Sequence, residues 1–278
     1  MRSDTARRLG EVIACANQKG GVGKTTTVVS LASYLAIGGK RVLIVDLDPQ
    51  GNATSGMGID RDRLVGSVYD VLVGSRSADE VVVGTAIPGL SIVPSTRELA
   101  GIEVELVAMG GRERRLERAL ADGSAPFDYV LLDCPPSLGL LTINGLTAAD
   151  SVLVPIQCEY YALEGLSQLM STIDLVREHL NPSLALKGVV LTMFDGRTTL
   201  SADVTAEVRR HLGTRVFSTI VPRSIRLAEA PGYGKPIALY SPESRGAQAY
   251  RAVAAELVER DAIARAAVPV APIWATTP

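Results

Sequence analysis

A glycine-rich stretch near the start of the chain constrains the fold more than any other feature. Residues 18–25 read QKGGVGKT, directly after the apolar segment EVIACAN (11–17) and directly before a segment with the composition of a helix that ends at Gly38 and Gly39. Because glycines leave the turn without side chains, its backbone N–H groups can converge on an anion. A strand, a glycine loop and a helix in this order predict a phosphate-binding loop in an α/β fold.

Apolar segments of strand length alternate with helical segments along the rest of the chain. Hydrophobic residues make up 47% and aromatic residues 4%, so we expect an aliphatic core of the kind that covers buried parallel strands. The alternation predicts a doubly wound, mostly parallel α/β sheet flanked by helices, the architecture of a P-loop NTPase. The predicted strands are 11–17, 40–46, 90–95, 127–133, 151–158, 186–194 and 215–222. The predicted helices after the loop helix are 96–109, 112–122, 139–149, 162–180, 200–212 and 245–264.

Domain organisation follows from the absence of linker-like composition inside the alternating region. We predict a single ATPase-type domain over residues 1–264 and a flexible, Pro-rich tail over 265–278. Residues 1–10 lack the apolar stretch of a secretory signal. The chain has no run of eighteen apolar residues, so no membrane span is expected. Its three cysteines are too far apart in the sequence to suggest a disulfide framework or a metal site.

The end of the loop has the residue types of a Walker A motif. Lys24 is expected on the β- and γ-phosphates of a nucleotide, and the Thr25 hydroxyl is expected to ligate Mg²⁺. The helix that begins near Lys24 adds the positive end of its dipole. The predicted nucleotide-binding residues of the loop are Lys19, Gly20, Gly21, Val22, Gly23, Lys24, Thr25 and Thr26.

Three aspartates follow two of the predicted strands. Asp46 and Asp48 end the segment VLIVDLD, and residues two apart in a strand face the same way. Both should project at the carboxyl edge of the sheet, where ligands bind in open α/β folds. One can stabilise the loop and metal shell while the other reaches an attacking water. Asp133 follows four apolar residues in YVLLD, as the Walker B carboxylate does near Mg²⁺.

These residues together resemble the ParA/Soj family of partition ATPases, within the group that has a deviant Walker A motif, KGGVGKT. The resemblance spans residues 16–237 and rests on five stretches: ANQKGGVGKTTT, VLIVDLDPQGNATSGMG, YVLLDCPPSLG, TMFDGRTTLS and VPRSIRLAEAPGYGKPI. It implies ATP and Mg²⁺ as cofactors and ATP hydrolysis as the reaction. Gln18 stands where the general loop has glycine, which is usual in this family.

The resemblance also assigns roles to single residues. Lys19 would be the signature lysine, which reaches the phosphates of the ATP held by the other subunit of a homodimer. Asp48 would position the hydrolytic water, so the implied catalytic residues are Lys19, Lys24 and Asp48. The implied Mg²⁺ site comprises Thr25 as direct ligand with Asp48 and Asp133 nearby. The adenine side of the pocket would include Met193, Pro222 and Arg223.

DNA is the implied macromolecular ligand. The family binds double-stranded DNA without sequence preference as an ATP-bound dimer, and Arg197 and Arg226 match its DNA-contacting arginines. Net charge is −2 overall, but residues 187–251 carry ten Lys/Arg against five Asp/Glu, a distribution that can mark a polyanion face. A ParB-type centromere-binding partner would stimulate hydrolysis and release the dimer. We expect a cytoplasmic, nucleoid-associated protein. Residues 1–10 leave no room for the operator-binding domain of longer relatives.

Three other functions compete with this interpretation. A membrane-cycling positioning ATPase of the MinD type needs a basic amphipathic C-terminal helix, whereas residues 251–270 are Ala-rich and contain Pro269. A reductase with an iron–sulfur cluster between subunits needs two suitably placed cysteines per chain. A non-enzymatic nucleotide-binding scaffold would dimerise without depending on Asp48 for hydrolysis.

Overall fold

The computed structural model describes residues 10–123, 126–159 and 162–267. Within these residues eight strands form one sheet in the order β3-β4-β2-β5-β1-β6-β7-β8, parallel throughout except for β3 against β4. The strands are β1 Glu11–Cys15, β2 Val42–Asp46, β3 Val83–Gly84, β4 Leu90–Val93, β5 Tyr129–Asp133, β6 Ser151–Gln157, β7 Ala185–Phe194 and β8 Val216–Pro222.

Helices flank this sheet and connect its parallel strands. They are α1 Lys24–Ile37, α2 Asn52–Gly56, α3 Val68–Val73, α4 Ala78–Val81, α5 Ile102–Val107, α6 Arg115–Ala121, α7 Leu140–Ala148, α8 Ala162–His179, α9 Thr199–Leu212, α10 Ile225–Glu229, α11 Ile237–Tyr240 and α12 Arg245–Ala267. Among the described residues, no helix combines the length and the apolar character needed to cross a bilayer.

The central strands are apolar on both faces because helices cover both. Every residue of β2 and β5 is buried. Along β1, Val12 and Ala14 pack into the core on one face of the sheet, and Ile13 and Cys15 pack into the core on the other. Side chains alternate between faces along a strand, so a strand buried on both sides reads as a continuous apolar run. This is why the alternating pattern predicted the doubly wound fold, which the structure confirms.

All seven predicted strands are present, but the prediction missed the region between β2 and β4. That region holds three short helices, α2 to α4, and the two-residue antiparallel β3. The predicted helix 96–109 begins as a 3₁₀ turn, Arg97–Gly101, and the predicted helix 112–122 begins as the 3₁₀ turn Arg112–Arg114. The last helix continues through Ala267, into the first residues of the predicted tail. Residues 268–278 of that tail lie outside the described residues.

The carboxyl edge of the sheet collects the predicted functional groups. β5 lies between β1 and β2, with Asp133 in register with both Cys15 and Asp46. The glycine loop follows β1, and Asp48 lies two residues beyond the end of β2. Because parallel strands end at the same edge, their loops converge there. The fold thus brings the loop and the three aspartates together.

Candidate active site

The glycine loop leaves backbone N–H groups without side-chain competition. Gly21 and Gly23 have left-handed conformations, with φ of 74° and 89°. A Cβ at Gly20 or Gly21 would meet no atom within 4 Å, so the space above these residues is open. Helix α1 begins directly after Gly23 with no side-chain cap and no acidic residue in its first turn. Uncapped N–H groups at a helix N-terminus form an anion site.

Lys24 points into this site from a buried position. Its side chain is shielded by the loop, and its Nζ donates to the Lys19 carbonyl oxygen at 3.1 Å. Burial lowers the pKa of Lys24, while nearby groups such as Cys15 and Asp133 oppose that shift. A buried ammonium with one carbonyl as acceptor can donate further hydrogen bonds to a bound anion.

Asp133 lies fully buried beneath the loop. Within the described part of the chain, neither of its carboxylate oxygens makes a hydrogen bond of standard geometry, although the Thr25 hydroxyl lies near enough to lower the pKa. Burial raises the pKa of Asp133 well above its usual range, and the neighbouring charge of Asp46 adds to the shift. Most buried carboxylates are satisfied by donors or by a cation. An unsatisfied carboxylate at the carboxyl edge is suited to hold a cation or a water bound to one.

The two other aspartates differ in their surroundings. Asp46 accepts hydrogen bonds from the Thr54 hydroxyl at 2.6 Å and the Thr54 N–H at 2.8 Å. Burial raises the pKa of Asp46 to about 6, and these hydrogen bonds limit the shift. Asp48 accepts from the Gln50 N–H at 2.9 Å through Oδ1, and within the described residues its carboxylate has no other hydrogen bond. Asp46 is therefore held by the fold, whereas Asp48 retains one oxygen for a ligand.

A cavity of about 490 Å³ lies in front of the loop. Residues of the loop and α1 form one wall, together with Asp48, Gln50 and Asn52. The opposite wall comes from Met193 and from the segment 227–237, which includes Lys235. The volume and the mix of apolar and charged lining suit a nucleotide.

Met193 has the backbone conformation expected of a constrained site. Its φ is 53°, and among the described residues it is the one non-glycine residue with positive φ. The preceding Thr192 donates from its hydroxyl to the Val22 carbonyl at 2.8 Å, which ties the end of β7 to the loop. Left-handed conformations of unbranched bulky residues cost free energy and concentrate at functional sites. Met193 thus lines the cavity, whereas Pro222 and Arg223 are not part of its lining. The contact of these three residues with adenine stays a prediction.

Lys19 pairs with Glu159 and is not part of the cavity lining. Its Nζ lies 3.2 Å from Oε2 of Glu159, and the two side chains are 35% and 42% exposed. Glu159 also lies 3.6 Å from the Arg223 guanidinium and accepts from the Gln157 amide. The loop therefore has one buried lysine that lines the cavity and one half-exposed lysine that pairs outside the lining.

The structure adds residues to the site that sequence reasoning missed. Thr54 fixes Asp46, and Ser95 donates from its hydroxyl to the Asp48 carbonyl at 2.8 Å. Arg61 donates to the carbonyls of Pro49 and Gln50, directly after Asp48. Glu159 holds Lys19. Each acts through a contact distant in sequence or through a main-chain atom, so no local spacing reveals it.

The residues present fit Mg²⁺ bound with a triphosphate. Thr25 lines the cavity at the start of α1, and Asp133 offers two unsatisfied oxygens beneath it. Among the described residues, no group of three or more His, Cys, Asp or Glu side chains forms a metal site. Mg²⁺ commonly binds through one or two protein oxygens together with substrate phosphates. A sparse protein ligand set is therefore what such a site requires.

The two predicted DNA-contacting arginines lie at the same edge of the sheet. Arg197 follows β7 and Arg226 follows β8, and the Arg223 N–H donates to the Phe194 carbonyl between these two loops at 2.9 Å. Arg197 makes a bidentate pair with Asp195 and is 87% exposed. Arg226 pairs with Glu229 at 2.9 Å and is 59% exposed. Exposed pairs of this kind contribute little stability, so a phosphate can replace the carboxylate.

Comparison with known proteins identifies the family. A family model described as an AAA domain matches residues 10–186. The Soj protein of Bacillus subtilis, a sporulation initiation inhibitor, is 54% identical over 249 residues, covering 90% of this chain and 98% of its own. The chromosome partitioning protein ParA of Myxococcus xanthus is 53% identical over 253 residues, covering 91% of this chain and 89% of its own. The chain belongs to the ParA/Soj family. It is a P-loop ATPase of the partition type, with ATP and Mg²⁺ as cofactors.

Solved structures agree with the ParA/Soj fold. Cobyrinic acid a,c-diamide synthase from Mycobacterium smegmatis, solved with an ATP analogue and magnesium, superposes with a TM-score of 0.81 at 43% identity over 92% of this chain and 98% of that one. A MinD protein from Pyrococcus horikoshii with Mg-ADP superposes with a TM-score of 0.75 at 24% identity, over 92% and 98%. At that identity the MinD likeness shows the fold alone.

Proposed function

We propose that this ParA/Soj-family ATPase forms an ATP-dependent homodimer that binds double-stranded DNA without sequence preference and is released when a ParB-type partner stimulates hydrolysis. The observation that carries the proposal is the difference in burial and in partners between the two loop lysines. Lys24 is buried and its Nζ contacts its own loop, whereas Lys19 is half-exposed, pairs with Glu159 and is not part of the cavity lining. A lysine of a phosphate loop that lies outside the lining is positioned to serve a nucleotide held by another subunit.

Charge balance supports this use of Lys19. A triphosphate with one Mg²⁺ keeps excess negative charge, so it can accept two ammonium groups. Lys24 Nζ donates to the Lys19 carbonyl at 3.1 Å, whereas Lys19 Nζ donates to Glu159. The two ammonium groups of one loop therefore have different partners and are not easily aimed at the same phosphate. A cation supplied by a second subunit acts as an arginine finger does, which contributes about 10³–10⁵ in rate.

Asp48 is the residue we assign to the attacking water. Gln50 N–H holds one carboxylate oxygen at 2.9 Å, and the side chain borders the cavity beside the loop. This arrangement leaves the second oxygen to accept a hydrogen bond from water and so to orient it. Lys24 and the α1 N-terminus would bind the phosphates, and Thr25 and Asp133 would hold the metal. Bound Mg²⁺ would neutralise phosphate charge as it develops.

Dimerisation explains how ATP could control DNA binding. A single chain with net charge −2 and a few exposed arginines should bind DNA weakly. Two copies double the phosphate contacts on one face, and affinity rises steeply with that number while becoming more sensitive to salt. Arg197 and Arg226 are the proposed contacts, because both are exposed and lie on adjacent loops at one edge.

The dimer is tested by replacing Lys19 and, as a matched control, Lys40. Lys40 lies just before β2, at the opposite edge of the sheet. With ATP and Mg²⁺, sedimentation velocity should show dimers for the wild type and for Lys40→Ala, and monomers for Lys19→Ala. Lys19→Ala should also lose hydrolysis by about 10³-fold or more. Normal pairing and turnover by Lys19→Ala would overturn the dimer mechanism.

DNA binding is tested with Arg197→Glu and Arg226→Glu, with Arg41→Glu as control. Arg41 is 56% exposed, pairs with Asp128 and lies at the opposite edge of the sheet. Filter binding to duplex DNA across a salt series should fail for the first two variants and persist for Arg41→Glu, while ATP-driven dimerisation persists in all three. Co-sedimentation with anionic liposomes in the presence of ATP separates this function from membrane cycling. DNA retention by both arginine variants would exclude them as contacts.

The amide-forming activity named for the Mycobacterium protein is not favoured here. The higher identities are to partition proteins. All three cysteines of this chain are buried and free, and burial raises the thiol pKa of each. None is therefore suited to release ammonia from an amide donor by nucleophilic attack.

A further inference from the structure

Arg61 uses its whole guanidinium on main-chain carbonyls around Asp48. Nη1 donates to Gln50 O at 2.7 Å, Nη2 donates to Pro49 O at 3.1 Å, and Nε donates to Ser95 O at 3.1 Å. Arg61 makes no ion pair with a carboxylate in the described part of the chain. By contrast, Arg63 in the same 3₁₀ turn is 86% exposed and pairs with Asp60 at 3.2 Å.

The two carbonyls after Asp48 belong to peptide groups whose N–H groups hold Asp48. The Pro49 carbonyl shares a planar peptide with the Gln50 N–H, which donates to Asp48 Oδ1 at 2.9 Å. The Gln50 carbonyl shares the next peptide with the Gly51 N–H, which donates to Asp48 O at 2.8 Å. Arg61 therefore contacts the carbonyl side of both peptide groups, and Asp48 contacts their N–H side. A donor at the carbonyl end fixes the plane and strengthens the hydrogen bond at the N–H end.

Two neighbouring residues, Gly51 and Ser95, accommodate and support these contacts of Arg61. Gly51 has φ of 66°, and a Cβ there would lie 2.5 Å from Arg61 Cζ, so only glycine lets the guanidinium pack against this turn. Ser95 receives Arg61 at its carbonyl and donates from its hydroxyl to the Asp48 carbonyl. The Asp48 turn is thus held from both sides by Arg61 and Ser95.

We propose that Arg61 is a positioning residue for hydrolysis, which aims the Asp48 carboxylate through two consecutive peptide groups without touching the nucleotide. The proposal rests on the role proposed above for Asp48. It assigns to Arg61 a part in the rate of hydrolysis and none in ATP affinity, because Arg61 is absent from the lining of the nucleotide cavity.

The test compares Arg61→Met, Arg61→Lys and the control Arg63→Met, with Asp48→Ala as reference. Arg61→Met keeps an apolar stem and removes all three hydrogen bonds, so kcat should fall about 10- to 100-fold, the range expected for a misplacement of about 1 Å. Arg61→Lys keeps a donor and should fall between wild type and Arg61→Met. For both Arg61 variants, the KM for ATP and the affinity for a fluorescent ATP analogue should stay within about twofold of the wild-type values. All constants of Arg63→Met should also stay within about twofold, since an exposed ion pair contributes little free energy.

The outcomes separate this proposal from the role of Asp48 itself. If Asp48→Ala hydrolyses ATP slowly while Arg61→Met hydrolyses it at the wild-type rate, the Arg61 proposal is overturned and the role of Asp48 stands. Asp48→Ala at the wild-type rate overturns both. Arg61→Met could also be slow because it binds ATP poorly or because its urea midpoint has collapsed, and in that case Arg61→Lys decides. If folded Arg61→Lys has the wild-type kcat, whether or not its affinity for ATP is lost, Arg61 is a structural residue and the proposal is overturned.

Discussion

Two clusters of buried charge lie at opposite edges of the same sheet, and they are built differently. At the amino edge, the Lys187 ammonium contacts Glu11 at 2.6 Å and also Asp261, Tyr129 donates to Asp261 at 2.7 Å, and Ser151 donates to Glu11 at 2.8 Å. At the carboxyl edge, Lys24 donates to one carbonyl, and Asp133 makes no hydrogen bond of standard geometry among the described residues.

The difference distinguishes a charge that holds the fold from a charge that awaits a ligand. Each group of the amino-edge cluster has its partner within the chain, and the cluster joins β1, β5, β6, β7 and α12. The carboxyl-edge groups are left short of partners although they are just as buried. Burying an unpaired polar or charged group destabilises the folded protein. Such groups are therefore expected where a bound ligand or ion supplies the missing partner. The predictions below test this distinction by removing one group at a time.

The largest expected effect comes from Lys24→Met. Hydrolysis should fall by at least about 10³-fold, because a preorganised cation on the transferring phosphate is lost. The urea midpoint of the nucleotide-free protein should stay equal or rise, since burial already lowers the pKa of Lys24 and so disfavours its charged form. Phosphate release assays and urea unfolding measure the two quantities. A large loss of stability would place Lys24 in the same class as Lys187.

Lys187→Met should have the opposite pattern. It leaves the carboxylates of Glu11 and Asp261 buried without their cation, so the free energy of unfolding should fall by about 3–5 kcal/mol. Turnover per folded molecule should remain at the wild-type value, because this cluster lies at the far edge of the sheet. The triple variant Glu11→Gln, Lys187→Met, Asp261→Asn should recover much of the stability. If Lys187→Met alone were as stable as the wild type, the amino-edge cluster could not be assigned a role in stabilising the fold.

Thr54→Val tests a carboxyl-edge acid that does have donors. The free energy of unfolding should fall by about 2 kcal/mol, the scale of a hydrogen bond to a charged group. The Thr54 hydroxyl holds the pKa of Asp46 down at about 6, so its loss raises that pKa further. A raised carboxyl pKa disfavours the folded state as the group ionises, so the loss should grow as pH rises through and above 6 and shrink towards pH 4. Thr54→Ser, which keeps the hydroxyl, is the control, and a pH-independent loss would contradict the assignment.

The smallest expected change in the free protein comes from Asp133→Asn. Burial raises the pKa of Asp133, so replacing the carboxyl with a neutral amide should leave the nucleotide-free protein as stable as the wild type or slightly more so at pH 8. The variant should instead lose the added stability that Mg²⁺ confers in the presence of ATP, because the negative charge that attracts the ion is gone. Melting temperatures with ATP and with or without Mg²⁺ measure this. An equal Mg²⁺ response in both proteins would remove Asp133 from the metal site.

Sequence patterns predicted the fold and the position of the glycine loop and the three aspartates at one edge of the sheet, because those depend on local features. Strand burial, glycine conformation and the placement of Asp46, Asp48 and Asp133 after strands are all set within a few residues. The contacts of Arg61 and Glu159 could not be predicted in this way. Arg61 acts on main-chain atoms, which carry no sequence signal, and Glu159 meets Lys19 across 140 residues. The short helices between β2 and β4 were missed because helices of four to six residues have no apolar period to detect.

The final helix, α12, connects the two edges. Near its start, the Tyr250 hydroxyl contacts the Thr27 hydroxyl on the loop helix at 2.9 Å, and further along it Asp261 completes the Lys187 cluster. At the rise of an α-helix these two residues stand roughly 16 Å apart along the axis. A chain shortened to residue 258 would keep its anchor beside the phosphate loop but leave Tyr129 without an acceptor and Lys187 with a single carboxylate. Removal of so short a piece should thus loosen the edge of the molecule that is farthest from its chemistry.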